Sequence, residues 1–574
     1  LALLTADSVK LHTKFIPEGF TIDTWENLEP YFTKLDAAAL NSVSELEQWL
    51  INYSELECVL HEELAWRYVK STCNTADKDA EKAYDFFVSE IDPKTAPWFQ
   101  QLNEKLVANP FTAQLDPQKY FVYLREVKND IALYREENIP LFTRIDQLSQ
   151  QYGKIAGDQS IEHDGKELTM PQAFSMLHHT DEAVRRAVFE KVWKRRGEDR
   201  EKLDQLFTEL AEVRHQVALN CGFANYRDYM FAAMGRFDYT KEDCFNFHTA
   251  IAQYAVPVVD DLYAERKKHM KKDALRPWDK EVDPEGKPPL QPFHGGAELL
   301  EKSLSAFAKL NPDWKNSIAL MKEMGHFDLD SRKNKAPGGY NYSMPVSGAP
   351  FIFMNAADSH QDVVTMVHEA GHAFHSFHMN ALPLYQMKNP PSEVCELASM
   401  SMELITMDAW DEFYPNAQEL RRAKRDQLER VISGLPWIAC VDQYQHWLYE
   451  NPGHTAEQRE AAWRAVNGRF ESKVIDWTGY ENVRGYSWQK QLHIFEVPFY
   501  YIEYGMAQLG AVALWREYRN NPSQAIRNYE NALKLGYSKT IGEIFQTAGI
   551  RFDFSPAYVS ELMDFVKKEL KALS

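Results

Sequence analysis

Apolar residues recur every three or four positions along most of the chain. Between Asp181 and Asn220, Val184, Val188 and Val192 step by four, while Leu203, Leu206, Leu210, Val213 and Val217 step by three or four. This spacing lines one face of an α-helix. Thr180 and Asp181 supply a start signal, Gly197 an interruption, and Asn220-Cys221-Gly222 a stop, which predicts two long helices or one bent one. Similar periodicity fills 24–150, 200–270, 297–325, 360–440 and 505–574. Strand patterns are few. GKIAGDQSIEHDGKELTM (153–170) alternates around the turn pair Asp164-Gly165 and predicts a hairpin, and GGYNYSMPVSGAPFIFMN (338–355) combines Gly-rich turns with the short apolar run Phe351 to Met354. The expected fold is mostly α with small β elements.

The segment Leu275 to Gly296 carries five prolines and the polar stretch DKEVDPEGK, so it reads as a linker or long surface loop. The expected organisation is a helical N-terminal region with a short hairpin over 1–200, followed by a helical catalytic region over 201–574. With 574 residues the chain exceeds one core, which usually stops growing by about 250–300 residues. A small binding module is excluded.

Charge narrows the partners. Against 64 Lys and Arg stand 84 Asp and Glu, a net −20 that repels phosphate backbones and anionic lipids. Nucleic acid and membrane are therefore not expected as partners, and no stretch approaches the roughly 18–20 apolar residues of a membrane helix. The six cysteines lie far apart without a CxxC pair, which suggests neither a disulfide scaffold nor a structural zinc module and fits a reducing cytoplasm. The opening LALLTADSVKLHTKF has a short apolar start but no basic leader, and it reads as carrying no targeting signal.

The densest chemistry is His368-Glu369-Ala370-Gly371-His372, an HExxH motif. Residues four apart on a helix are separated by about 40° and about 6 Å, so two imidazoles so placed converge on one ion with the glutamate alongside. Asp358-Ser359 offers a cap for that helix. A chance match occurs on the order of once in fifty chains of this length, so a third ligand is needed to strengthen the reading. His378 stands at the metzincin spacing, but His375 replaces the turn-making glycine, and an unbroken helix carries His378 about 9 Å past His372. The competitor is PSEVCELASMSMELI (391–405), where Glu396 and Glu403 share a helical face. These glutamates either meet the metal or line a solvated face.

HEAGH, a Glu 24 residues after the second His within E-L-A-S, and another Glu seven further on together resemble the M3 family of zinc metallopeptidases, in its oligoendopeptidase F branch. Leu275-Arg276-Pro277-Trp278-Asp279 and GGYNY…PFIFMNAADS extend the resemblance, which covers roughly residues 140 to 560. It implies Zn2+ held by His368, His372 and Glu396, Glu369 as catalytic acid/base, and Glu403 and His375 orienting the ligands. It also implies oligopeptide substrates in a deep channel enclosed by helices, with a substrate strand pairing near Phe351 to Met354.

A second constellation is QLHIFEVPFYYIEYGMAQLG (491–510), with Pro498 suited to open a helix. Its phenols and imidazole are suitable donors to a developing oxyanion, although such a stripe can equally pack in a core. The M3 family carries here a His and two tyrosines seven apart. His493 and Tyr504 match, whereas Val497 stands at the earlier tyrosine, so one of the paired donors is absent or replaced by Tyr500 or Tyr501. The expected activity is zinc-dependent endopeptidase. Its rivals are a zinc carboxypeptidase or dipeptidase on a related helical scaffold, which needs a basic group for the terminal carboxylate, and a non-catalytic peptide-binding protein.

Overall fold

The structure, a computed structural model, describes residues 4–573; Leu1 to Leu3, which begin the short apolar start, and Ser574 lie outside the described residues. Helices account for most of the chain, as the periodicity requires. Among the described residues no helix is long and apolar enough to cross a membrane.

Among the described residues five strands interrupt them: β1 (Ser160–His163), β2 (Lys166–Thr169), β3 (Phe327–Asp330), β4 (Tyr340–Tyr342) and β5 (Phe351–Ala356). β1 and β2 form the expected antiparallel hairpin, closed by Asp164 and Gly165 at φ 51° and 73°. Positive φ at both central residues is what a two-residue turn between twisted strands demands. The other sheet has the order β3-β5-β4, with β3 parallel and β4 antiparallel to β5. This corrects the expectation of a substrate strand on Phe351 to Met354. Both edges of β5 are occupied, Tyr340 facing Phe353 on one side and Phe327 facing Ile352 on the other. Four consecutive buried residues, Phe351 to Met354, are the signature of a central strand, and the edge belongs to β4.

The chain divides into two compact units. The first takes the stretch up to Ala132, Leu290–Ala423 and Gly510–Phe552. Its cores gather around the long helix Val43–Cys73, with Trp49, Tyr53 and Leu56 in one cluster and Ala65 and Val69 against Phe351 and Phe353 in another. The helices His360–Met379 and Ser392–Ile405 cross in this unit at Gly371, where a Cβ would stand 2.6 Å from Ser399 Cα and 2.7 Å from the Ala398 carbonyl oxygen. Only glycine fits that approach.

The second unit takes Leu133–Pro289, Lys424–Leu509 and the stretch from Asp553. The pattern over 181–220 resolves as two helices, Glu182–Glu198 and Arg200–Asn220, broken at Asp199 rather than at Gly197. Asp181 caps the first, accepting from the Ala183 N–H, and Gly222 at φ 82° follows the second. The Pro-rich segment is only partly a loop. Leu275, Trp278 and Asp279 are buried, and Asp279 pairs with buried Arg185 at 2.7 Å, so LRPWD is anchored before the chain leaves this unit at Pro289.

Candidate metal centre

The motif helix begins as its sequence suggests. Ser359 caps it, accepting from the Asp362 N–H at 3.3 Å, while Asp362 reaches back to the Ser359 N–H. The helix then runs unbroken to Met379. His368 and His372 project side by side, ring centroids 5.0 Å apart and nearly perpendicular. From the crossing helix, Glu396 Oε2 stands 3.3 Å from His368 Nε2 and 3.8 Å from His372 Nε2. Around a tetrahedral zinc with ligands at about 2.0–2.2 Å, ligand atoms lie about 3.3–3.6 Å apart. Two imidazoles and one carboxylate at these separations fit such an ion.

His378, still on the same helix beyond His372, is outside this cluster and lines a cavity with Trp314 and Phe374. The missing glycine has the physical consequence expected of it.

The surroundings set the protonation. Glu403 Oε1 lies 2.7 Å from His368 Nδ1, and Ser399 Oγ donates to Glu396 Oε2 at 2.8 Å. Burial opposes charge on His368, but the hydrogen bond it donates to Glu403 and the carboxylates of Glu403, Glu396 and Glu369 outweigh it and lift that imidazole to about 9. Burial and the neighbouring His368 push His372 down to about 3. Glu369, 7% exposed, is pushed up to about 7 by burial, with His368 opposing. His375 is also buried, yet its Nε2 has no hydrogen-bond partner, so no such bond ties that nitrogen to the ligands.

His493 and the tyrosines belong to the second unit and gather at the start of the helix Tyr501–Asn520. The His493 ring lies 4.6 Å from Tyr501, 6.1 Å from Tyr500 and 6.2 Å from Tyr504. Gln491 Nε2 is 2.6 Å from His493 Nδ1, and burial lowers this imidazole to about 4. Val497 is 43% exposed. Pro498 does not open the helix. Phe499, fully buried at φ 68°, turns the chain first, and helix begins only at Tyr501.

Residues 175–564 match the profile of Peptidase family M3, and residues 15–134 match that of the Peptidase M3 N-terminal domain. The chain belongs to peptidase family M3. An oligoendopeptidase F homolog of Borreliella burgdorferi is 22% identical over 296 residues, covering 50% of this chain and 48% of the relative. Oligopeptidase PepF of Bacillus subtilis is 22% identical over 403 residues, 67% of this chain and 56% of that protein. The chain thus spans about half the length of the curated relatives it matches. Among solved structures, PZ peptidase A with an inhibitor superposes with a TM-score of 0.87 at 26% identity, covering 97% of this chain and 99% of that one. The resemblance to the oligoendopeptidase F branch of M3 is borne out.

Several residues that shape this M3 site escaped the sequence reading. Ser399 was visible within E-L-A-S, one helical turn after Glu396, but its bond to that carboxylate required the fold. Asn341 on β4 donates from Nδ2 to the Glu369 main-chain oxygen at 3.1 Å, fastening the edge strand to the motif helix. Buried Arg236 donates to Glu503 at 2.8 Å and to the Phe499 carbonyl, bracing the turn before the tyrosines. No local pattern marks either of the last two.

Proposed function

We propose that this chain is a zinc-dependent endopeptidase that hydrolyses internal bonds of oligopeptides. The observation that carries the reading is the convergence of His368, His372 and Glu396 beside Glu369. Membership of M3 supports a peptidase, and the names of its relatives support oligopeptides as the substrate class.

Bound at these three ligands, zinc supplies Lewis-acid polarisation of a peptide carbonyl and acidifies water. Glu369, brought near neutrality by burial, takes the proton of the attacking water and delivers one to the leaving amine. Glu403 accepts from His368 Nδ1, which directs Nε2 toward the ion. β4, at the sheet edge and tied to the motif helix by Asn341, offers main-chain groups to an extended peptide. Only an unfolded segment can add such a strand, which favours short peptides over folded proteins. His493 and Tyr504, with Tyr501 as a second phenol, take the oxyanion-donor role by resemblance to the family. No disulfide joins the six cysteines, which supports work in the cytoplasm.

The test is a mid-quenched peptide of roughly 5–20 residues blocked at both ends. Internal cleavage that stops on chelation is expected, and Glu369→Gln should lower the rate about 10²–10⁴-fold while retaining metal. Cleavage only after a free terminus is restored would instead identify a carboxypeptidase or dipeptidase, and binding without cleavage a peptide-binding protein.

A further inference from the structure

A second group of ligand-type side chains lies wholly inside the second unit. Cys244 and His248 stand four apart on the helix Lys241–Ala250, and Asp442 and His446 stand four apart on the helix Ala417–Glu450. That spacing puts each pair on one helical face. The fold sets the two faces together, so that one ligand atom each of Cys244, Asp442 and His446 lies within 4.8 Å of the other two. Asp442 Oδ2 is 3.3 Å from His446 Nε2 and 2.7 Å from His248 Nε2. None of the four residues is more than 2% exposed.

The polar chemistry of this cluster is incomplete. Asp442 Oδ1 and both ring nitrogens of His446 are buried without a hydrogen-bond partner, whereas buried polar atoms are nearly always satisfied. The rings of Phe245 and Phe499, 4.9 and 5.4 Å from the His446 ring, supply no hydrogen bonds of their own. A carboxylate in such surroundings needs a compensating positive charge. A divalent cation answers the carboxylate's charge and takes one of the two His446 ring nitrogens. One thiolate and one carboxylate balance its two charges, a neutral imidazole completes three ligands, and 3.3 Å is the edge of a tetrahedral coordination shell. The 2.7 Å contact of His248 is a hydrogen bond, of the kind by which an outer residue orients a ligating carboxylate.

We infer that Cys244, Asp442 and His446 form a buried structural site for a zinc-class divalent cation, with His248 as the positioning residue for Asp442. The site is distinct from the His368, His372 and Glu396 centre, which lies in the first unit and contains no sulfur ligand. Its ion clamps two helices against Phe499, whose N–H is held by Gln445 Oε1 at 2.8 Å. The clamp therefore stabilises the turn that leads into Tyr500, Tyr501 and Tyr504.

The full chain, produced in minimal medium with Co2+ as the metal, tests this. Two cobalt ions per chain are expected at saturation of both centres, with a near-ultraviolet thiolate-to-cobalt charge-transfer band. His368→Ala should retain the band, because that variant alters only the sulfur-free centre, while Cys244→Ser should lose it and Cys221→Ser should keep it. The wild-type spectrum decides even if Cys244→Ser fails to fold. Absence of the band in cobalt-loaded wild type, or its survival in folded Cys244→Ser, would overturn the inference.

Discussion

Glu403 Oε1 sits 2.7 Å from His368 Nδ1, while Nε2 of the same ring faces Glu396 Oε2 at 3.3 Å. Glu403, Glu396 and Glu369 favour the charged His368 ring over the opposing effect of burial and lift it to about 9. A ligating imidazole must be neutral at the nitrogen that binds. If the centre holds zinc as proposed, binding at pH 7 should expel about one proton, and affinity should rise as pH climbs toward 9, roughly tenfold per unit. Calorimetry in buffers of different ionisation enthalpy measures the proton directly. Glu403→Gln should reduce the release and weaken zinc binding about 10–100-fold; unchanged proton release would separate Glu403 from ligand control.

Third-ligand identity separates two single variants. Glu396→Ala removes the oxygen 3.3 Å from His368 Nε2 and should lose metal on dialysis, whereas His378→Ala should keep it. Metal analysis showing the reverse would mean the motif helix breaks after His372 in solution.

Of the tyrosines, Tyr504 is the one in register with the family's later donor. A phenol whose hydrogen bond tightens only as the oxyanion forms contributes to kcat and little to ground-state binding. Tyr504→Phe should thus lower kcat about 10²–10³-fold with KM and zinc content nearly unchanged. If Tyr501→Phe carries that signature instead, its closer ring contact with His493, at 4.6 Å, is the relevant one.

Gly371 offers a stability test away from the ligands themselves. Adding a methyl group drives it into the Ser399 and Ala398 backbone, and overpacking of this sort costs about 1–3 kcal/mol or more. Denaturant unfolding of Gly371→Ala should show that loss in midpoint with little change in slope. Wild-type stability in this variant would mean the two helices separate easily at their crossing.

How much of this was legible depended on whether the signal was local. His368 and His372 declare themselves because a single helix fixes their relation, and Glu396 and Glu403 because a seven-residue step keeps one face. Phe499 did not: positive φ at an aromatic residue has no sequence mark, since turn chemistry normally places Gly or Asn there. β5 was recognised as a strand, but its central position depends on β3 and β4, whose pairings run across intervening chain. The Cys244–His248 and Asp442–His446 pairs are each spaced like HExxH, yet nearly two hundred residues separate them. A search for CxxC passes over such an arrangement because its ligands come from two helices.

The interleaving of the two units bears on how the protein is made. Each unit draws on three separated stretches, so no single cut in the chain yields two whole pieces. The first unit lacks part of its structure until synthesis reaches Phe552, and the second until it passes the helix Pro556–Ala572. The far end of the helix Val43–Cys73, at Ala65 and Val69, is made early but meets Met344, Phe351 and Phe353 only after hundreds more residues have been added, so that part of the core closes late.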